Sequence, residues 1–254
     1  MNKKQLKQII TKVLPPPVYD WLGNRFYGPK YCPPVGMVDL GSFKRLKPFS
    51  SCFGYDRGTP IDRYYIENFL LTHQEDVKEH TLEIGDASYT KRFGGDRVKQ
   101  IDVLHVAEGN PQATIIGDLT NAEQIPSNTF DCFILTQTLQ FIYDLPQAMQ
   151  TIYRILKPGG VVLATVPGIS QIADDEWNKC WYWALTKLSA AKLFAEVFPE
   201  ENIEVASYGN VLTTTAFLQG MAAEELKPQE LDYKDCHYEM LITIRAVKPL
   251  SAES

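Results

Sequence analysis

The chain has little cysteine and little histidine, and neither is patterned. Its five cysteines (Cys32, Cys52, Cys132, Cys180 and Cys236) show no C-x-x-C spacing, and its four histidines (His73, His80, His105 and His237) stand apart from one another. That argues against a zinc framework and a disulfide frame alike, and a reducing, cytoplasmic compartment is the expectation. No apolar run approaches the roughly 18 residues that a membrane span needs. The first residues also lack the apolar core and small-residue cleavage site of a secretory signal. Basic residues are outnumbered: 25 Lys and Arg against 31 Asp and Glu leave a formal net charge of -6, the wrong sign for a general nucleic-acid binder. Asp174 and Asp175 have no partners at ligand spacing, so no metal is expected. The G-x-G-x-x-G turn that lets backbone approach a pyrophosphate is missing too, because Gly85 is followed by Asp-Ala-Ser-Tyr-Thr.

What is present is a chain of 254 residues with 44% apolar and 22% charged composition, enough for one large α/β domain with a decorated end. Met1 to Leu14 has helical apolar spacing with four interleaved lysines and no acid. It fits a weak contact with an anionic membrane surface as well as packing on its own domain. Residues 15–58 are rich in Pro, Gly and aromatics and read as an irregular wrapping arm, with residues 59–254 as the main domain. Ile61–Leu70 is a helix candidate. Apolar runs then recur at Thr81–Gly85, Arg97–Asp102, Ala113–Asp118, Phe130–Leu135 and Val161–Val166, alternating with helical stretches, which argues for parallel βαβ units. A helical stripe over Leu145–Leu156 is ended by Pro158-Gly-Gly. Further on, Ser189–Phe198 and Leu212–Leu226 read as helices, and Asn202–Tyr208 and Glu239–Val247 as strands. Ligands of such sheets sit beyond the carboxyl ends of the strands. Glu83, Gly85, Asp102 and Asp118 fall there on this reading.

The series Glu83-Ile-Gly85, Asp102, Gly117-Asp118-Leu119, Ile125-Pro-Ser-Asn-Thr-Phe-Asp131 and Leu156-Lys-Pro-Gly-Gly160 resembles the class I S-adenosylmethionine-dependent methyltransferases, specifically the type-11 methyltransferase domain. The resemblance implies a Rossmann-like, doubly wound, mostly parallel seven-stranded sheet with an antiparallel last strand. It also implies S-adenosylmethionine as cofactor, with Asp102 on the ribose hydroxyls, Asp118 on the adenine amino group and the Leu119 backbone N–H facing the ring. Glu83, Gly85, Asp86, Thr136 and Gln137 would serve the amino-acid end. The single glycine of the loop departs from the family's usual three.

On the substrate side, methyl transfer needs an in-line approach and a place for the acceptor's proton. His105 is the candidate base, lying just beyond Asp102 on the cofactor side. Arg57 and Arg63 fit as clamps for a carboxylate, and Tyr55 and Tyr64 fit as a cover over the methionine part; the block also reads as an entry helix held by local Asp–Arg pairs. Trp177 and Trp181, in an aromatic-rich insertion, suit stacking on a sugar face or simply roofing the sheet. The Phe53–Tyr65 block and the Ser207–Val211 and Phe217–Gly220 segments resemble methyltransferases found beside glycosyltransferases in bacterial polysaccharide clusters. That implies O-methylation of a carbohydrate or small metabolite. The alternative is a degenerate, non-catalytic methyltransferase fold that partners glycan-making enzymes.

Overall fold

The structure is a computed structural model in which residues 15–28, 31–172 and 176–250 are described. The helix expected over residues 1–14, the acids Asp174 and Asp175 and the side chain of Trp177 lie outside the described residues. Two compact units divide the chain, Met1–Lys47 and Pro48–Ser254, so that residues 48–58, expected in the arm, belong to the larger unit.

In the smaller unit a helix, α1, spans Pro16–Tyr27 where irregular structure was expected. Its prolines occupy the first turn, where a missing N–H leaves no bond unmade and φ is already helical. They start a helix here. Gly28, with φ +56°, closes it.

The larger unit is built on a seven-stranded sheet of order β3-β2-β1-β4-β5-β7-β6. The strands are β1 Glu79–Ile84, β2 Val98–His105, β3 Ile115–Ile116, β4 Phe130–Thr136, β5 Leu156–Pro167, β6 Ile203–Tyr208 and β7 Leu241–Val247. The first five pair in parallel, whereas β7 runs antiparallel to both β5 and β6. This is the doubly wound sheet the resemblance implies.

The central strands read as continuous apolar runs because both of their faces are covered. One face packs on α3 (Leu145–Ile155) and α4 (Lys187–Ala195), burying Phe133, Leu135, Met149, Ile152 and Phe194. The other packs on α2 (Ile61–Thr72) and α5 (Val211–Leu218), burying Ile66, Leu70, Ile134, Leu163 and Phe217. Asp144 caps α3 by accepting the Gln147 N–H, and Asn210 caps α5 in the same way from Leu212 and Thr213. A five-residue helix, α6, covers Pro228–Asp232. No helix among the described residues is long and apolar enough to cross a membrane.

Several elements differ from the sequence expectation. Strand β2 continues three residues past Asp102, to His105. Helix α3 stops at Ile155 and Leu156 already opens β5, because Pro158 pushes the residue before it into extended backbone. The helix expected through Leu226 ends at Leu218; Gly220, with φ +67°, turns the chain into a short 3-10 segment at Ala223–Glu225. Between β1 and β2 a π turn, Thr90–Gly94, and a 3-10 turn, Gly95–Arg97, stand in place of a full helix.

Candidate active site

The carboxyl ends of β1, β2 and β3 form one side of the site. Gly85 follows β1 with φ +82°, which a side chain tolerates poorly. Its N–H donates to Leu104 O at 3.0 Å, and its carbonyl accepts from Asn110 Nδ2 at 2.5 Å. Nothing lies within 4 Å of where a Cβ on Gly85 would stand, so open space begins at this turn. Glu83 is 3% exposed and points back into the fold, where it accepts the N–H groups of Tyr89 at 3.1 Å and Thr90 at 2.7 Å. Its burial raises the carboxyl above its ordinary value against those hydrogen bonds. Glu83 therefore braces the loop it was expected to serve a ligand from. Asp86 accepts the Ser88 N–H at 2.7 Å, a local turn contact.

Asp118 stands exposed just past the end of β3, with Oδ1 accepting the Thr120 N–H at 2.8 Å and hydroxyl at 2.9 Å. The Leu119 side chain is buried in the core beneath it. Asp102 is elsewhere. It pairs in register with Leu82, inside the sheet, and its Oδ2 lies 2.6 Å from His80 Nε2. Its Oδ1 accepts the Thr114 hydroxyl at 2.6 Å. Burial raises the Asp102 carboxyl, but the Thr114 hydroxyl and the His80 ring outweigh it and hold it below the ordinary value. The residue at the carboxyl end of β2 is His105, whose Nδ1 lies 2.7 Å from Ala107 O.

The second side of the site is a cavity of about 520 Å³ next to the carboxyl ends of β4 and β5 and the start of β7. It brings together four of the expected residues: Tyr55, Arg63, Gln137 and Trp181. His105 and Arg57 do not line it. Arg57 is instead fixed by Glu225, with its Nε 3.0 Å from Oε2, and lies over the Phe49 ring. Tyr64 turns away and donates to Asp232 Oδ1 at 2.8 Å. Thr136 is half-buried at the end of β4, in register with Thr165.

Gln140 and Phe141, which sequence reasoning missed, also line the cavity, as do Phe53 and Asp62, which it had not singled out within the Phe53–Tyr65 block. Asp62 and Arg63 open α2; Asp62 Oδ1 accepts the Arg63 N–H at 2.8 Å, and Arg63 Nε donates to the Tyr55 hydroxyl at 2.8 Å. Burial raises the Asp62 carboxyl, with Arg63 opposing it. The signal available in the sequence was an acid next to an arginine at the start of a helix, which is too common to single out. Phe53 and Trp181 stack at 6.5 Å with planes 10° apart, and Phe141 meets Trp181 edge-on at 5.2 Å.

Comparison with known proteins agrees with this geometry. Residues 85–164 match the family Methyltransf_11, a methyltransferase domain. A malonyl-[acyl-carrier protein] O-methyltransferase from Serratia marcescens is 25% identical over 70% of this chain and 77% of its own length. The ubiquinone/menaquinone biosynthesis C-methyltransferase UbiE of Escherichia coli is 44% identical, but over only 28% of this chain and 26% of that protein. Among solved structures, a SAM dependent methyltransferase from Archaeoglobus fulgidus superimposes with a TM-score of 0.52 at 10% identity, over 73% of this chain and 94% of that one, a likeness of fold alone. Residues 85–164 are thus similar to a methyltransferase domain, whose cofactor is S-adenosylmethionine, and the sheet around them has a methyltransferase fold. The open space at the Gly85 turn fits that cofactor.

Proposed function

We propose that the protein methylates a hydroxyl oxygen of a sugar or related small metabolite. The observation that carries this is the cavity beside the cofactor end of the sheet, which holds a carboxylate, Asp62, among aromatic walls. S-adenosylmethionine, when bound, supplies an electrophilic methyl group. Gly85 and Asp86 would bound its amino-acid end and Asp118 with Leu119 its adenine. His105, at the carboxyl end of β2, stands where Asp102 was expected to meet the ribose. The remaining task is to orient the acceptor hydroxyl and take its proton. Asp62 is placed for that, since its burial raises its basicity above that of a free carboxylate. Phe53, Phe141 and Trp181 would hold the acceptor's apolar face and exclude water.

A second reading, a degenerate fold that binds partners without catalysis, draws support from the single-glycine loop and the π turn that replaces a helix after β1. Calorimetric titration with S-adenosylhomocysteine separates the two. Micromolar binding is expected; no binding would leave the second reading standing.

A further inference from the structure

The wall of the cavity formed just after β4 carries two side-chain amides, Gln137 and Gln140. Gln140 Nε2 donates to Gln137 Oε1 at 3.3 Å. That leaves Gln137 Nε2 and Gln140 Oε1, both closed off from solvent, without a partner. Gln140 is only 2% exposed. An unmade hydrogen bond on a buried polar atom is destabilising by about 1–3 kcal/mol, so two on adjacent residues of one wall call for an explanation. The backbone points the same way. Gln137 holds φ +48° and Phe53 φ +56°, so two of the four left-handed residues with a Cβ among those described stand on this cavity, the others being Glu79 and Asn128.

The chemistry of the pair does not depend on which way either amide is turned. Each amide offers one acceptor oxygen and one donor NH2, and their mutual bond uses one of each. One donor and one acceptor are left in every orientation. A carboxylate, which only accepts, would face the leftover oxygen; an ammonium, which only donates, would face the leftover NH2. Hydroxyl groups do both. The last torsion of Gln is broad, so either amide can adjust its plane to a ligand. The cations agree with this choice: Arg57 is tied to Glu225, and Arg63 is tied to Tyr55 with Asp62 beside it, which leaves a carboxylate on the acceptor poorly served.

Resting on the methyltransferase reading above, we propose that the Gln137–Gln140 pair selects a neutral polyhydroxylated ring, binding two of its hydroxyls, over an acidic acceptor. The Phe53–Trp181 stack supplies the surface for the ring's apolar face.

The test is ligand-observed NMR titration of the full chain saturated with S-adenosylhomocysteine, whose own binding is measured first. The probes are the p-nitrophenyl glycosides of glucose, mannose and rhamnose, with the p-nitrophenyl glucuronide as the acidic counterpart. At least one neutral glycoside is expected to bind at least tenfold more tightly than the glucuronide. Gln140→Met, similar in shape, is expected to weaken it at least tenfold while leaving S-adenosylhomocysteine affinity unchanged; should that variant not fold, Gln140→Leu is read in the same way. The proposal is overturned if the glucuronide binds as well as every neutral glycoside, if no neutral glycoside binds, or if the folded variant binds like wild type. Failure of S-adenosylhomocysteine itself to bind would instead count against the methyltransferase reading.

Discussion

The inside of the sheet and its carboxyl edge treat polar groups in opposite ways. Within the sheet, Asp102 is shared by His80 and Thr114, and Asp131 takes the Lys157 ammonium at 2.6 Å and the His80 N–H at 3.1 Å. Every one of these carboxylates is answered from a neighbouring strand or connection. At the carboxyl edge, Gln137 and Gln140 keep partnerless atoms, Gly85 faces open space, and Phe53 and Gln137 sit in left-handed backbone. Paired groups of the first kind hold strands in register, whereas unpaired groups of the second kind are stable only because the surrounding packing forces them. An acid on a strand is thus no guide to the ligand until its level along that strand is known.

Replacing groups on each side tests that contrast. Asp62→Asn should lower kcat by about 10²–10⁴-fold, the usual worth of a general base, with S-adenosylhomocysteine affinity unchanged in calorimetry. Because the base must be ionised, wild-type kcat/KM should fall as pH drops through the raised Asp62 pKa, at a higher pH than an exposed aspartate would give. A flat profile through that region would remove Asp62 from the chemistry. At the cofactor turn, Gly85→Val should weaken S-adenosylhomocysteine by at least about tenfold, since a side chain at φ +82° is strained and projects into the open space.

The interior carboxylate should respond in the converse manner. Asp102→Asn is expected to destabilise the fold by about 1–3 kcal/mol, the worth of hydrogen bonds to a charged group, in urea unfolding. Cofactor affinity should stay at the wild-type value, and a tenfold loss would put Asp102 back at the ribose. The sign of its pH dependence follows from its lowered pKa. Its contribution is fully present above the unfolded pKa and fades as pH falls through the folded one, so variant and wild type should converge in acid. The smallest effect is expected at Arg57→Met, whose charge already belongs to Glu225 at the surface: glycoside and cofactor affinities should both be unchanged in the same titrations.

The strands and their order of appearance were legible because period and length decide them locally. Buried runs such as Phe130–Leu135 and Val161–Val166 can satisfy their apolar side chains only between two layers. The Gly85 turn was legible for a similar reason, as few other residues end an apolar strand at φ +82°. Tertiary structure alone decided the level of Asp102. The sequence Ile101-Asp-Val-Leu-His105 looks equally well ended at the acid or at the histidine, and only pairing of Ile84 with Leu104 shows where β1 and β2 stop together. It alone also assembled the cavity, whose walls come from residues 51–63, 137–141, 167–170, 181 and 217–241. Side chains so far apart in the chain share no local pattern. The unmatched donor and acceptor of Gln137 and Gln140 exist only once folding has taken water away from them.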